Sequence, residues 1–426
     1  MTAATITLLI LAGAAVLFVT EYIPLAVTAM SVAVALFLTG VLDAKTAFSG
    51  LMDNNVILFA GMFVVGAALF ETGVASKIGN SVVKVAGKSE RKLLIAIMVV
   101  AAGLSSVLSN TGTTAVLMPV TIAIAASAGY NRSKLLMPLA LAAGLGGIIT
   151  LIGTPPNLLV KAALEGAKLG TFGFFEFAWI GIPLTIAGII YVVFFGIKLI
   201  PDRVVDMEEV EKAISAEVGV QKTVSPMKQN VSIIVLLAAV VGMIFEKQLG
   251  VPLHVTAVMG ALALVITGVL SDKQAYRAID WTTIFLFAGM LPLATALAKT
   301  GAGKMIADVV IGFIGKDASP YVITAGLFLL SCGLTQFMSN TASTALLAPI
   351  GIAIAKGLGA DPSAVLMAVA VAASCAFATP VGTPPNTLVF GPGGYKFMDY
   401  VKVGIPLILV CFVVSVIIIP IVWPFF

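Results

Sequence analysis

The sequence predicts an all-helical membrane protein that crosses the bilayer about ten times and consists of two related halves. Three observations support this fold class. First, 60% of the 426 residues are apolar, 10% are charged and the mean hydropathy is +1.13, which leaves too few polar residues to cover a soluble domain. Second, two polar motifs each occur twice in uncharged surroundings. Third, the two halves align at a nearly constant separation of about 230 residues.

Ten apolar runs have about the 20 residues that a helix needs to cross the hydrocarbon layer. They lie near 4–20, 24–42, 55–72, 135–160, 178–197, 231–246, 252–270, 283–298, 363–390 and 403–424. Because backbone groups in lipid must be paired within the segment itself, we predict that each run is a helix.

Two further apolar stretches, 93–128 and 321–355, are too long for one crossing and carry a Ser-Asn-Thr triplet near the middle. We predict that each is a re-entrant hairpin of two half-length arms. The triplets that form the tips are Ser109, Asn110 and Thr111, and Ser339, Asn340 and Thr341. Polar groups at this depth are costly unless protein or a wet cavity surrounds them, so both tips are candidate functional sites.

A second repeated motif, Gly-Thr-Pro-Pro-Asn, begins about 43 residues after each triplet, at Gly153 and at Gly382. It interrupts the predicted spans 135–160 and 363–390. Threonine is a fair N-cap and proline is tolerated in a first helical turn, so each motif predicts a break followed by a new helix start.

Further matched segments extend the duplication to nearly the whole chain. Phe-Ala-Gly-Met occurs at 59–62 and 287–290, and Gly-Ile-Pro-Leu occurs at 181–184 and 404–407. We therefore divide the chain into a first repeat, 1–200, a polar linker, 201–229, and a second repeat, 230–426. An amphipathic helix on the membrane surface is an equally good interpretation of 204–218 within the linker.

Each repeat contains an odd number of crossings, five, so the second copy enters the membrane with the opposite orientation. Inverted repeats are typical of secondary transporters. If the N-terminus is outside, sixteen of the 24 Lys and Arg residues fall on the cytoplasmic face, which agrees with the positive-inside rule. The remaining eight are Lys45, Lys161, Lys168, Lys247, Lys299, Lys304, Lys316 and Lys356. Both termini are therefore expected outside, and the linker in the cytoplasm.

Helix starts at the tips and breaks present free N–H groups and positive dipole ends, which can bind an anion. Carbonyl groups freed at the breaks, together with Ser and Asn oxygens, are suitable ligands for a small cation such as Na⁺. No Arg, Lys or His occurs in either hairpin or in either broken span up to its asparagine. A bound anion would therefore need neutral donors and co-bound cations, which favours cation coupling.

The paired tips and breaks resemble the divalent anion/sodium symporter family, the INDY-type carriers of dicarboxylates, citrate and sulfate. The similarity covers nearly the whole chain. It implies a homodimer with a scaffold part, 1–75 and 230–300, and a transport part, 92–170 and 320–395, that moves as an elevator.

The resemblance also implies site residues. Substrate contacts would come from Ser109, Asn110, Thr111, Ser339, Asn340, Thr341, Thr379 and Pro380. One sodium site would use Ser105, Ser109, Asn110 and Ile149, and the other Thr335, Met338, Asn340 and Ala378. The co-transported ion would be Na⁺, in two or more copies.

We therefore predict a sodium-coupled symporter of a small divalent anion, such as a C4-dicarboxylate, in the inner (plasma) membrane. Sodium-independent anion exchange and transport of sulfate or citrate by the same fold are alternatives. A cation/proton antiporter is less favoured because the breaks carry no acidic residue. An enzyme is not expected, because paired aspartates, an HExxH helix and a serine with an intramembrane base are all missing from the sequence. The net charge of +4 is scattered over loops, so we expect no nucleic-acid partner.

Overall fold

Helices account for all regular secondary structure in residues 1–78, 89–203, 225–315 and 318–426, which are the residues that the computed structural model describes. Six short segments stay unnumbered, namely Ala44–Ala47, Ser49–Met52, Val192–Gly196, Ile197–Leu199, Glu246–Leu249 and Asp272–Ala278. The other helices of the first half are α1 Ala3–Thr20, α2 Leu25–Leu38, α3 Asn54–Glu71, α4 Glu90–Ser105, α5 Asn110–Ala128, α6 Ser133–Gly147, α7 Pro155–Gly166 and α8 Ala178–Tyr191. In the second half they are α9 Pro226–Ile244, α10 Leu253–Ile266, α11 Trp281–Thr300, α12 Ala302–Ile314, α13 Pro320–Thr335, α14 Asn340–Leu358, α15 Pro362–Ala373, α16 Pro384–Phe390 and α17 Phe397–Val422. The predicted all-helical class is confirmed.

Eight of the described helices are long and apolar enough to cross a membrane, with α8 counted together with its continuation through Val192–Gly196 to Leu199, which makes this a multi-pass membrane protein. Two predicted spans, 24–42 and 252–270, form shorter helices of 14 residues, α2 and α10. These helices end early because the glycines that follow, Gly40 and Gly268, have positive φ angles of 73° and 68°. At 1.5 Å per residue each is only about 21 Å long.

The hairpin arms differ from the predicted half-length arms. The second arms, α5 and α14, each contain 19 residues and are long enough by themselves to cross a membrane. Pro119 and Pro349 lie inside these arms without ending them. Each arm instead continues to a glycine with positive φ, Gly129 or Gly359. The polar tips, where α5 and α14 begin, lie where predicted.

Helix packing repeats between the halves with the partners exchanged. Helix α2 of the first half packs on α11 of the second, and the equivalent helices, α10 of the second half and α3 of the first, also pack on each other. Helix α7 packs on α14, and α16 packs on α5. Within each half, α4 packs on α6 as α13 packs on α15. These exchanged pairs are the arrangement that an approximate two-fold axis between the repeats produces.

The duplicated Phe-Ala-Gly-Met motif lies where α3 crosses α10 and where α11 crosses α2, both at close backbone contact. A Cβ atom on Gly61 would lie 2.8 Å from the backbone of Ala257, and one on Gly289 would lie 2.3 Å from the carbonyl oxygen of Ala29. Small residues are common where membrane helices approach closely. The motif therefore recurs because both copies make the same close contact between α3 and α10 and between α11 and α2.

Most of the predicted linker, 204–224, and with it the alternative amphipathic helix at 204–218, lies outside the described residues. Where the linker begins, Arg203 forms an ion pair with Asp399 at 3.0 Å. Lys161, which we counted as a loop charge, lies within α7, is 7% exposed and pairs with Glu165 one turn later. The neighbouring carboxylate compensates the charge of the buried amine. Because Lys161 is buried in a helix and does not lie in a loop, it should be removed from the outer-face count.

Candidate functional site

A cavity of about 390 Å³ lies where both hairpin tips and both breaks meet. Four helices, α5, α7, α14 and α16, begin at its wall. The residues contributed by these starts are Ser109, Asn110, Thr111, Gly153, Thr154, Pro155, Ser339, Asn340, Thr341, Thr383 and Pro384. Residues that the sequence separates by more than 270 positions therefore share one site.

Serine begins both tip helices as an N-cap. The Ser109 hydroxyl oxygen accepts from Gly112 N at 3.1 Å, and the Ser339 hydroxyl oxygen accepts from Ala342 N at 3.1 Å. This bond satisfies one of the free N–H groups of each first turn. Each cap keeps the first turn intact and leaves its positive end at the cavity.

The side-chain amide of Asn110 joins the first tip to the first break. Its nitrogen lies 3.1 Å from Ala143 O, 3.3 Å from Gly153 O and 2.6 Å from Ser105 Oγ. The amide nitrogen is assigned to this side of the group because only a donor satisfies two carbonyl oxygens. The first tip is thereby fixed against the end of α6 and the start of the Gly-Thr-Pro-Pro-Asn motif.

Asn340 makes the same set of contacts in the second half. Its nitrogen lies 3.1 Å from Ala373 O, 3.3 Å from Gly382 O and 2.7 Å from Thr335 Oγ1. The Thr335 hydroxyl in turn donates to Ala373 O at 2.8 Å. Each asparagine is thus surrounded by two carbonyl oxygens and one hydroxyl oxygen.

The structure brings together Ser105 with Asn110, and Thr335 with Asn340, as the resemblance implied. The carbonyl groups at the two asparagines, however, are not those of Ile149 and Ala378. Ile149 N donates to Gly146 O at 3.0 Å, and Ala378 N donates to the Gln336 side chain at 3.1 Å. Met338 is 2% exposed and is not part of the cavity wall. Two of the carbonyl groups that do contact the asparagines belong to Gly153 and Gly382. Their place as the first residue of the repeated motif was the sequence signal that could have identified them.

Thr379 and Pro380 are also absent from the cavity wall. The Thr379 hydroxyl donates to Gln336 O at 2.9 Å and accepts from Gly382 N at 2.9 Å. A hydroxyl has a single proton to donate, so this one is already used inside the protein. The wall is formed four positions later, by Thr383 and Pro384.

Four threonines that line the cavity have side-chain hydroxyls without a hydrogen bond to any described residue. They are Thr111, Thr154, Thr341 and Thr383, two from each repeat. Thr154 and Thr383 stand at the N-cap positions of α7 and α16, yet neither side chain caps its helix. The sequence predicts these two threonines only as N-caps, although their place in a repeated motif also marked them as candidate binding residues.

The electrostatic character of the wall follows from helix ends rather than from basic side chains. Among the described residues that line the cavity, Asp280 alone is ionisable. Its carboxylate accepts from Thr282 N at 3.0 Å, from Thr283 N at 3.2 Å and from Thr283 Oγ1 at 2.5 Å, so it caps α11. The rest of the wall combines the uncharged polar residues of the helix starts with apolar residues, among them Phe59, Phe63 and Phe70 of α3.

The asparagine that ends each Gly-Thr-Pro-Pro-Asn motif supports the break. Asn157 donates to Thr150 O at 2.8 Å, and Asn386 donates to Ala376 O and Thr379 O, both at 2.9 Å. Both side chains are fully buried. They satisfy carbonyl groups that unwinding removes from the helix ladder, a requirement for irregular backbone inside a membrane protein.

The cavity extends toward one end of the molecule. Its wall includes Leu25 at the start of α2, Phe70 at the end of α3 and Asp280 at the start of α11. No residue from the first turn of α3 or the last turn of α11 contributes to it. At that opposite end, Asn55 of α3 donates to Glu165 of α7 at 2.9 Å.

A family model described as citrate transporter matches residues 15–363 and, again, residues 330–425. The chain is 31% identical to an uncharacterized transporter of Haemophilus influenzae, over 96% of this chain and 89% of the relative. It is 28% identical to the uncharacterized transporter YfbS of Escherichia coli, over 98% of both chains. It is 27% identical to the sodium-dependent dicarboxylate transporter SdcS of Staphylococcus aureus, over 96% of this chain and 84% of the relative.

Two solved structures share the fold at low sequence identity. The YdaH transporter of Alcanivorax borkumensis has a TM-score of 0.64 and 14% identity, over 96% of this chain and 98% of that one. MtrF of Neisseria gonorrhoeae also has a TM-score of 0.64, with 15% identity over 91% of this chain and 84% of that one. Both similarities concern the arrangement of the helices.

Proposed function

Because the chain belongs to the citrate transporter family, we propose that it is a secondary active transporter that couples sodium to the movement of a small divalent anion such as a C4-dicarboxylate. The observation that carries this proposal is the convergence of four helix starts on one cavity without a basic side chain in its wall. The similarity to SdcS over 96% of the chain supports both the ion and the class of anion.

The anion would bind to neutral donors. Free N–H groups at helix starts, helix dipoles and the hydroxyls of Thr111, Thr154, Thr341 and Thr383 all favour negative charge in the cavity. The volume, about 390 Å³, lies within the range of about 300–1,000 Å³ usual for small-molecule sites. Matched donors from both repeats suit a substrate with an anionic group at each end.

Sodium would bind beside Asn110 and Asn340. Rotation of either amide by half a turn exchanges its nitrogen and oxygen, and the amide oxygen then lies beside two carbonyl oxygens and one hydroxyl oxygen, a set that would surround a cation. Oxygen atoms of this kind are the ligands that hard cations prefer. The two sets imply at least two sodium sites, one in each repeat.

Coupling follows from charge. A dianion at mid-membrane is only partly offset by neutral donors, and moving it past hydrocarbon costs several kcal/mol at least. Two co-bound sodium ions would cancel that charge. The loaded transport part could then move as an elevator against the scaffold part, within a homodimer in the inner (plasma) membrane with both termini outside.

The cavity would then open to the cytoplasm. The ends of α2, α3 and α11 that it reaches lie on the predicted cytoplasmic face, where most Lys and Arg residues fall. The Asn55–Glu165 contact would close the outer end, and it joins the proposed scaffold to the proposed transport part. An elevator stroke would have to break it.

Uptake into proteoliposomes tests this function. We expect labelled succinate to enter faster than citrate or sulfate when sodium is supplied outside, with a Hill coefficient for sodium above one. Ser105→Ala and Thr335→Ala should each raise the half-saturating sodium concentration. Substrate should stabilise the purified protein more in sodium than in choline. Equal uptake in choline, driven by an anion on the opposite side, would instead identify a sodium-independent exchanger.

A further inference from the structure

One buried residue distinguishes the two hairpins. Gln336 follows Thr335 at the end of α13, is 9% exposed, and occupies the position that Ser106 has at the end of α4. Its side-chain nitrogen donates to Cys332 O at 2.9 Å and to Cys375 O at 3.0 Å. Its side-chain oxygen accepts from Ala378 N at 3.1 Å. A single glutamine thus joins the second hairpin to the second break at two backbone positions.

Ser106 makes no comparable contact. Its hydroxyl donates to Gly103 O at 2.7 Å, within its own helix. Both halves share a different link between hairpin and break, a hydrogen bond from a threonine hydroxyl of the break to a backbone carbonyl of the hairpin. Thr150 donates to Ser106 O in the first half, and Thr379 donates to Gln336 O in the second. The side-chain contacts of Gln336 are therefore an addition that belongs to the second repeat.

The unequal length of the two breaks explains this addition. Helix α6 continues to Gly147 and leaves seven residues, 148–154, before α7, whereas α15 ends at Ala373 and leaves ten, 374–383, before α16. Nearby backbone groups pair with one another in both breaks, since Ile148 N donates to Leu145 O at 3.2 Å and Cys375 N donates to Ala372 O at 3.1 Å. In the longer second break, Cys375 O accepts from Phe377 N at 3.0 Å, and Gln336 adds a second bond to Cys375 O and supplies an acceptor for Ala378 N.

We propose that Gln336 is a positioning residue that holds the longer break in a fixed conformation beside the second sodium site. This inference rests on the sodium coupling proposed above. Thr335 precedes Gln336, and Ala373, which accepts from Thr335, lies two residues before Cys375. The contacts of Gln336 therefore fix both sides of the oxygen cluster around Asn340. A site held in this way needs little ordering when the ion binds.

The two sodium sites are then unequal. The site at Asn340 is formed in advance and binds its ion at lower sodium concentration. The site at Asn110 lacks the equivalent support and is completed as the second ion and the anion bind. Gln336 contacts neither ion nor substrate, so its loss should change sodium affinity more than the maximal rate.

Gln336→Met tests the inference, because methionine has nearly the same length and cannot make these hydrogen bonds. We expect the half-saturating sodium concentration to rise roughly tenfold, because Ala378 N loses its acceptor and Cys375 O loses one of its two donors next to the site. The rate at saturating sodium and succinate should change far less. Ser106→Ala, at the matched position, should leave the sodium dependence unchanged. Gln336→Asn, which keeps the amide but is too short to reach Cys375 and Ala378, should behave like Gln336→Met.

Thiol reactivity gives a measurement that is independent of transport. With Cys332 and Cys411 replaced by alanine, Cys375 is the remaining thiol, and in the native fold it is fully buried. Without sodium, N-ethylmaleimide should modify Cys375 faster in the Gln336→Met protein than in its parent, and saturating sodium should restore protection. The Ser106→Ala protein should react like the parent.

The results separate this inference from the proposed function. If native uptake depends on sodium, but Gln336→Met and Ser106→Ala shift that dependence equally or not at all, Gln336 is not a positioning residue. The same conclusion follows if Cys375 reacts at the same rate with and without Gln336. If native uptake is independent of sodium, the proposed coupling fails, and the inference about unequal sodium sites fails with it.

Discussion

Two asparagines occupy the central position among the individual residues. Asn110 and Asn340 begin the second arms of the hairpins, and each amide contacts one carbonyl oxygen of the helix before the break and one carbonyl oxygen of the break itself. An asparagine suits this place because one group carries both a donor and an acceptor. It holds the site together as a donor and, under the proposed function, would bind a cation as an acceptor after rotation.

Asn110→Ala and Asn340→Ala should therefore each reduce uptake at least about tenfold, since unpaired buried carbonyls cost about 1–3 kcal/mol and a cation ligand is lost as well. The measurement is initial uptake of labelled succinate into proteoliposomes. Gel filtration would show that the folded protein persists. Asn131→Ala, on the surface where Asn131 donates to Asp202 at 2.6 Å, is the control and should transport normally. Near-normal uptake by either tip variant would leave the triplets with a capping role only.

The breaks contain two threonines of different expected importance. Thr383→Val should raise the half-saturating concentration of the anion, because it removes a hydroxyl that lines the cavity and has no hydrogen bond to any described residue. Thr379→Val should mainly lower the melting temperature, because that hydroxyl joins the break to Gln336 and Gly382. Succinate titrations of uptake and thermal melting in detergent separate the two effects. The reverse pattern would support the contact that the family resemblance implied for Thr379.

Among the helices, packing distance determines which residues are tolerated. The crossing of α2 with α11 places Gly289 against the backbone of Ala29, and the crossing of α3 with α10 places Gly61 against Ala257. Backbones this close exclude a side chain on the facing residue. The same crossing made twice keeps the two repeats in a fixed relation.

Gly289→Ala should consequently destabilise the protein by about 1–3 kcal/mol, because the added Cβ would lie 2.3 Å from Ala29 O and the helices would have to separate. Thermal melting in detergent measures the effect. Gly13→Ala in α1 is the matched control, since a Cβ there meets no atom within 4 Å, and alanine favours helix over glycine. Equal melting temperatures for the two variants would contradict the proposed packing role.

At the scale of the whole molecule, the cavity reaches one end while the other end is held by Asn55 and Glu165. The charge pattern of the loops predicts that the open end is cytoplasmic. Under the proposed function, both features together would describe a carrier with its site accessible from inside.

Labelling of introduced cysteines checks this orientation. Thr282→Cys, at the cavity wall, should react with a membrane-impermeant maleimide in inside-out vesicles, and succinate with sodium should slow the reaction. Lys299→Cys, near the opposite end of α11, should react in right-side-out vesicles. The three native cysteines are buried and should contribute little background. Labelling of Thr282→Cys from the outside alone would reverse the assigned orientation.

The sequence by itself determined the fold class, the duplication, both hairpin tips and both breaks. Composition alone excludes a soluble fold, and polar or proline-containing motifs in apolar runs must interrupt helices wherever they occur. These features depend on local chemistry, which residue identity records directly. The pairing of Ser105 with Asn110 and of Thr335 with Asn340 was likewise within reach, through the resemblance.

Only the tertiary structure decided which oxygen atoms and hydroxyls meet. Every residue has a backbone carbonyl, so residue type does not indicate which carbonyl groups meet a side chain. Which ones contact the two asparagines, here those of Ala143, Gly153, Ala373 and Gly382, depends on how far each break unwinds. The use of Thr379 inside the protein and the exposure of Thr383 to the cavity depend on a helix packed from elsewhere in the chain. Gln336 is informative for the same reason, because its partners Cys375 and Ala378 become available only where α15 ends early.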